Sequence, residues 1–422
     1  MIRFEKYLLP NGLRVILHQD GTTPIAAVNV AYDVGSRDED PAHTGFAHLF
    51  EHLMFGGSEH IPDFDTQLQQ AGGENNAFTS TDLTDYYLTV PVANIETALW
   101  LESDRMNRLA FSEESLEVQR KVVMEEFKQS YLNQPYGDVM LLLKPLAYRV
   151  HPYRWNTIGM ELKHIEEATM AQVKDFFYRF YRPNRAVLTI AGDFEPARMK
   201  ELVEKWFGDI PSGVPSERAL PKEPEQTAPR FLEVESDVPS DLIVKAYHCC
   251  RRADAAYYPT DMLSDILSNG KSARLQRRLV EEKRLFSQIS ASVSGSFDEG
   301  LFIISGYPAE GVPLAAADAA IREELEMLCR VPVEAEELRK TKNQVATLLC
   351  YADLQVQDKA MNLGIFELME KAERYNDEEA FYEAVTAASL QETARKLFTE
   401  DNCSTLYYKA VASTSAGCGT CP

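Results

Sequence analysis

His48, Glu51 and His52 are three polar side chains set into the otherwise apolar stretch GFAHLFEHLMFGG, residues 45–57, of a 422-residue chain with only 8 histidines. On a helix, residues three and four apart share a strip. His48, Glu51, His52 and Phe55 therefore line one face, while Phe46, Leu49, Phe50 and Leu53 cover most of the remaining circumference. A helix apolar nearly all round belongs inside, and polar groups carried inside need partners. Two imidazoles at i and i+4 can both reach one ion at about 2.0–2.1 Å, the distance of zinc-bound nitrogen, and Glu51 stands beside the same point. These are the parts of a metal site with a base next to it.

The order H-x-x-E-H reverses the H-E-x-x-H of many zinc peptidases and is the inverzincin signature, in which the glutamate is a base and not a ligand. Such a site activates water against a polarised carbonyl, so the expected chemistry is hydrolysis, most simply of a peptide bond. The competing reading is a pair of core histidines and a glutamate that merely satisfy one another. A third ligand must come from elsewhere. The segment SEESLEVQRKVVMEEFKQSYL predicts a helix from Ser112 to about Leu132, with Ser112 as N-cap and two acids in the first turn. Leu116, Val123, Phe127 and Tyr131 mark its buried stripe, with Val122 beside it. Glu126 falls on the flank of that stripe, where a carboxylate is costly unless paired or metal-bound, whereas Glu125 points about 100° away toward solvent.

The elements that must position these residues follow from pattern. LRVILHQD and IAAVNVAYDVGS read as paired strands, and so do RFLEVESD and DLIVKAYHCC further on, with AVNVAY in register with LIVKAY. NRAVLTIAGD and GLFIISGY read as further strands, and residues 196–207 and 313–329 as helices. Between the halves, residues 209–230 hold five prolines and little that could pack, the composition of a linker. The expected class is α+β, with two structurally related domains, each a mostly antiparallel sheet packed with helices. The expected boundaries are 1–208, a linker at 209–230, a related domain without a metal site at 231–412, and a flexible tail at 413–422.

A net charge of −22, spread in short acidic groups such as Glu334, Glu336 and Glu337, argues against nucleic acid as a partner. No apolar run approaches the roughly 20 residues that cross a bilayer, so no membrane role is expected. MIRFEKYLLPNGL lacks the long apolar core of a signal peptide, although a leader removed beforehand would leave the same start. Seven cysteines in no disulfide-like framework favour a reducing compartment, and the expected location is the cytoplasm. Cys418 and Cys421 form a C-x-x-C on the Ser/Gly/Thr tail, with no second pair nearby to complete a metal site. His18, His43, His60, His151, His164 and His248 have no acidic partner at a useful spacing, and His43 and His60 read as loop residues.

The segments LPNGLRVIL, VGSRDED, TGFAHLFEHLMFGGS, AGGENNAFTSTDLTDYY and VVMEEF resemble, in order and spacing, the pitrilysin/insulinase-type zinc metallopeptidases. The resemblance continues through FYRPNRAVLTIAGDF into the second half. It implies a half-length subunit, similar to mitochondrial processing peptidase and bacterial two-subunit relatives, in which two such chains close like a clamshell around a peptide. Carried over residue by residue, it implies His48, His52 and Glu126 as ligands of one zinc per chain and Glu51 as the general base. GGENNAFTS reads by itself as a strand after a glycine turn, suited to a sheet edge where an extended peptide could pair. The resemblance implies that Asn76, Ala77, Phe78 and Thr79 are the substrate-docking strand.

Two positions depart from the family. Where it often has a second glutamate seven residues before the ligand glutamate, this chain has Gln119, two helical turns from Glu126, a neutral amide that can still orient a ligand or a water. Where single-chain relatives have an arginine and a tyrosine seven apart in the second half, this chain has Val280 and Ser287. Because oxyanion donors are commonly worth a few kcal/mol of barrier, a subunit without them is expected to need a homologous partner that supplies the pair. A heterodimer is therefore expected, with a homodimer as second choice; nearby Arg274, Arg277 and Arg278 read as surface charges on a helix. The function expected is a zinc endopeptidase acting on unfolded or short peptides, and its alternative is a non-catalytic core subunit of the same family.

Overall fold

The structure, a computed structural model, describes residues 1–214 and 218–411. Two sheets carry the described chain. The first is built from β1 (Glu5–Leu8), β2 (Arg14–Gln19), β3 (Ile25–Tyr32), β4 (Glu74–Thr79), β5 (Thr84–Pro91) and β6 (Ala186–Gly192) in the order β1-β2-β6-β3-β5-β4. The second holds β7 (Arg230–Ser236), β8 (Leu242–His248), β9 (Phe286–Val293), β10 (Leu301–Pro308) and β11 (Cys403–Ala410) in the order β7-β11-β8-β10-β9.

With β1 set aside, the two orders correspond place by place. β2 lies parallel to β6 as β7 lies parallel to β11, and every other pairing in both sheets is antiparallel. The registers agree too: Tyr32 pairs with Ala186, the first residue of β6, and Tyr247 with Cys403, the first residue of β11. The alignment of AVNVAY with LIVKAY is thus met by equivalent strands. The class is α+β, with two mixed, mostly antiparallel sheets and helices packed on them.

The compact units differ from a contiguous division. One comprises Met1–Phe127, Val150–Lys222 and Val345–Ala380; the other comprises Lys128–Arg149, Glu223–Gln344 and the described part of Phe381–Pro422. Burial explains the exchange. β6 is buried along its whole length, so it must be covered on both faces. The distant helix Val356–Met369 supplies one cover, with Leu363 and Phe366 joining Ile2, Ile16 and Val187, and Val356 and Ala360 joining Ala27 and Ala191. Gly364 makes this approach possible, because a Cβ there would stand 2.7 Å from Asn29 Oδ1 and 3.1 Å from Thr189 Oγ1. In the other unit the helix Val139–Ala147 packs on β7, β8 and β11, and Arg230 Nη1 donates to the Leu146 carbonyl at 3.0 Å.

The proline-rich stretch is less loose than its composition suggests. Arg218 forms a fork on Asp38, Nε to Oδ1 at 2.6 Å and Nη2 to Oδ2 at 3.0 Å, and its Nη1 reaches Asp33 Oδ1 at 2.8 Å. Glu223 accepts the Arg149 N–H at 2.8 Å, and Gln226 donates to the Cys403 carbonyl at 2.9 Å. Polar side chains dock a segment with few apolar ones, a signal that hydropathy does not carry. Residues 215–217 of this stretch, and Cys418 and Cys421 with the whole tail 413–422, lie outside the described residues. Among the described residues, no helix is long and apolar enough to cross a membrane.

Beneath the helix Val356–Met369, Asp85 of β5 is fully buried and accepts the Asn29 Nδ2 hydrogen bond at 2.6 Å on one oxygen only. Burial pushes its carboxyl up to about 8, with the Asn29 bond opposing. The folded protein therefore keeps this proton to a higher pH than the unfolded chain does, and the group subtracts from stability as pH climbs from about 4 through 8. Asp85→Asn is expected to melt a few degrees above the parent at pH 8 and close to it at pH 4.5. Parallel melting curves across that range would remove Asp85 as the cause.

Candidate metal centre

Gly45 starts the helix Phe46–Leu53 in the left-handed region, φ 90°, where a side chain would also collide with the Ile158 carbonyl at 2.7 Å. Phe46, Ala47, Leu49, Phe50 and Leu53 are buried. Phe50 stacks on Phe176 at 5.2 Å and on Tyr181 at 5.0 Å between ring centroids, which fixes the rotation of the helix about its axis. Its N-terminal N–H groups are met by Glu39, which accepts Gly45 N–H at 2.9 Å and Ala47 N–H at 2.8 Å. Burial pushes the Glu39 carboxyl up to about 8, with those two bonds opposing. The helix ends at Leu53, so Phe55 leaves the expected strip and packs edge-on against Phe64 at 6.0 Å.

The second helix runs Glu113–Phe127 and continues as a π-helical turn, Lys128–Leu132. Ser112 caps it, its Oγ accepting the Ser115 N–H at 3.0 Å. Leu116, Val123 and Phe127 are buried, whereas Val122 is 45% exposed and Glu125 is exposed. Because this helix packs against Phe46–Leu53, the flank position brings Glu126 to the two imidazoles.

His48 Nε2 lies 3.7 Å from Glu126 Oε1, and His52 Nε2 lies 3.5 Å from Glu126 Oε2. One ligand atom from each of the three lies within 4.8 Å of the other two, and no other such cluster occurs among the described residues. These separations are long for hydrogen bonds. A tetrahedral ion with ligands at about 2.0–2.2 Å instead separates any two of them by roughly 3.3–3.6 Å. The donor set of two imidazole nitrogens and a carboxylate is one that zinc accepts.

The electrostatics favour the cation-binding forms of His48 and Glu126. Burial pushes the His48 imidazole below its ordinary value, with Glu126 pulling the other way. The His52 ring beside Glu126 holds that carboxyl below the usual carboxylate range, with partial burial opposing. His48 Nδ1 is buried and has no hydrogen-bond partner among the described residues. The side chains are 13%, 24% and 40% exposed for His48, His52 and Glu126, which leaves the cluster open to an incoming molecule and not sealed inside.

Glu51, half-buried on the same helix, accepts a 2.6 Å hydrogen bond from Thr79 Oγ1 on its Oε2. Thr79 ends β4, the outermost strand of the first sheet, which pairs only with β5; Asn76, Ala77 and Phe78 precede it on that free edge. Gln119 is half-buried on the helix of Glu126.

His43 and His60 lie on loops, as expected, but His60 does find an acid: its Nδ1 sits 2.7 Å from Asp104 Oδ1, a pairing made by tertiary contact and invisible to sequence spacing. In the second unit Val280 and Ser287 stand where an arginine and a tyrosine were sought. The three nearby arginines are each in ion pairs, Arg274 with Glu337 at 2.6 Å, Arg278 with Glu324 at 3.0 Å and Arg277 with Glu282 at 3.6 Å. Arg274 is buried, contrary to the surface position expected of it, because Glu337 neutralises it there. Sequence reading missed Glu39, although an acid shortly before a helix start is a recognisable signal, and it missed the Thr79–Glu51 contact, for which spacing gives none.

The family described as "Insulinase (Peptidase family M16)" matches residues 14–159, which include the three residues of the cluster and the neighbouring Glu51, and "Peptidase M16 inactive domain" matches residues 167–345. The chain is similar to the zinc protease PqqE of Helicobacter pylori, 32% identical over 359 residues, 82% of this chain and 80% of that one. It is also similar to the beta subunit of the mitochondrial-processing peptidase of Saccharomyces cerevisiae, 28% identical over 206 residues, 48% of this chain and 44% of that one. Among solved structures, a protease from Helicobacter pylori superposes with a TM-score of 0.90 at 28% identity, covering 97% of this chain and 100% of that one.

Glu126→Gln is expected to weaken zinc binding by more than about 100-fold, the upper end of what loss of an outer partner of a ligand costs. Competition against a chromogenic chelator measures this, and unchanged affinity would remove Glu126 from the set.

Proposed function

The chain belongs to the insulinase-type peptidases, family M16, and on that footing we propose that it is a zinc-dependent endopeptidase subunit that cleaves unfolded or short peptides. The observation that carries the reading is the spacing of His48 Nε2, His52 Nε2 and the Glu126 carboxylate, with Glu51 one turn from His48. His48, His52 and Glu126 hold one zinc ion in this proposal. Zinc, when bound, supplies Lewis acidity to a peptide carbonyl and to water at that point.

The chain's own residues do the rest. The outer edge of β4, at Asn76, Ala77, Phe78 and Thr79, pairs with an extended peptide by main-chain hydrogen bonds, which suits substrates without fixed structure. Glu51, with Oε2 taken by Thr79, receives the proton of the attacking water at Oε1 and returns it to the leaving amine. Gln119 orients a ligand or a water from the same helix as Glu126. Val280 and Ser287 offer neither a cation nor a phenol to a developing oxyanion, so a homologous partner subunit of different sequence supplies both in a heterodimer; a homodimer, which repeats Val280 and Ser287, is the second choice.

A non-catalytic core subunit is the second reading, favoured by the description of residues 167–345 as an inactive domain. Against it stand the four site residues, all present and grouped, since keeping half-buried imidazoles and carboxylates together without a cation brings no benefit to packing.

Glu51→Gln is expected to keep zinc close to one per chain while lowering peptide hydrolysis by about 100- to 10,000-fold, the range of general-base loss. Zinc analysis and a quenched-peptide assay measure the two together, and hydrolysis at the parent rate would remove Glu51 as base. The subunit alone is expected to be at least about 100-fold slower than when mixed with a homologue carrying the arginine and tyrosine, by the size of one oxyanion donor. Full activity of the isolated chain would reject the partner.

A further inference from the structure

We propose that Thr79 is a positioning residue for Glu51, so that the strand that receives the peptide also aims the base. The inference rests on the reading of Glu51 as base and deepens it. Glu51 lies on the helix Phe46–Leu53, whose rotation is fixed by the Phe50 stack, but its own carboxylate sits beyond that packing and is half-buried. A half-buried glutamate on a helix keeps side-chain torsions that the rotation of the helix does not set, unless something holds its end. Thr79 Oγ1 does so at 2.6 Å, donating to Oε2.

The donor is itself well held. Thr79 closes β4 and pairs with Thr84 of β5, which is buried and donates its hydroxyl to the Val34 carbonyl at 2.9 Å. As a β-branched residue on a strand, Thr79 has few side-chain rotamers open to it, so the hydroxyl direction follows the strand. The consequence is geometric. Taking up Oε2 leaves Oε1 as the atom for proton transfer and fixes its direction, and a base must be held within hydrogen-bond reach to act. The other role open to Thr79 is docking alone, through its backbone on the free edge, and the two roles make different predictions.

Thr79→Val keeps the shape and the strand preference but removes the donor, and Thr79→Ser keeps the donor. Both are tested in whichever assembly, the chain alone or with its partner, proves active. For Thr79→Val the expected result is kcat lowered about 10- to 100-fold, the size of one hydrogen bond to a charged group, with KM within about twofold and zinc content unchanged. Thr79→Ser is expected to restore most of the rate. A second measurement does not depend on turnover: an unlabelled, unstructured nonapeptide titrated by calorimetry into Glu51→Gln and into Glu51→Gln with Thr79→Val is expected to bind with affinities within about twofold. A Thr79→Val protein with parent kcat, or one whose defect lies in KM, in peptide affinity or in zinc content, overturns the inference. Glu51→Gln run alongside separates the cases: if it still hydrolyses peptide, the reading of the base has failed, whereas an inert Glu51→Gln beside an undiminished Thr79→Val condemns the positioning role alone.

Discussion

The site depends on one constraint: two helices far apart in the chain must pack so that a carboxylate on one comes within 3.5–3.7 Å of two imidazole nitrogens on the other. That distance is too long to be a good hydrogen bond and right for two ligands of one ion. It follows that the arrangement is not self-sufficient. Apolar packing on the far sides of both helices holds it, through Phe50 on the aromatic cluster and through Leu116, Val123 and Phe127 on the core. The polar groups sit where the packing leaves them.

The ends of the site helix are secured by polar groups. Gly45 gives the sharp entry, and the Glu39 side chain accepts the N–H groups of Gly45 and Ala47 at the start of the helix. Beyond the other end, the Arg105 guanidinium lies 4.6 Å from the Phe64 ring and 4.5 Å from the Tyr86 ring, with Glu102 as its salt-bridge partner. A buried charge is tolerable there because it is both paired and faced by aromatic rings. Buried acids such as Glu39 and Asp85 have a cost that shows as a raised pKa, about 8 for each.

The two sheets share one topology, yet the grouping of His48, His52 and Glu126 is on one of them. β4 and β9 are equivalent edge strands, and only the unit of β4 holds the cluster. The second unit keeps the scaffold with different buried polar groups: the first buries Asn29 with Asp85, and the second buries, at places that do not correspond to these, the ion pair of Lys245 and Asp318 at 2.6 Å. Of two equivalent folds, one thus carries a candidate metal centre, because a sheet's topology is set by strand pattern while a site needs particular side chains at particular places.

Much was legible in sequence. The strands around Arg14–Gln19, Ile25–Tyr32, Ala186–Gly192 and Leu242–His248, the helix Pro196–Phe207, the strip of His48, Glu51 and His52, and the flank position of Glu126 all follow from periods of 2 and 3.6. What periodicity cannot carry is which distant segments meet. The helix Val356–Met369 covers β3 and β6, and nothing in its own pattern points there. Arg218 docks a proline-rich stretch on Asp33 and Asp38, His60 finds Asp104, and Thr79 reaches Glu51 across 28 residues. A local pattern records which face of an element is apolar, because that face repeats along the chain. The partner of a single polar side chain repeats nowhere, so only the folded packing decides it.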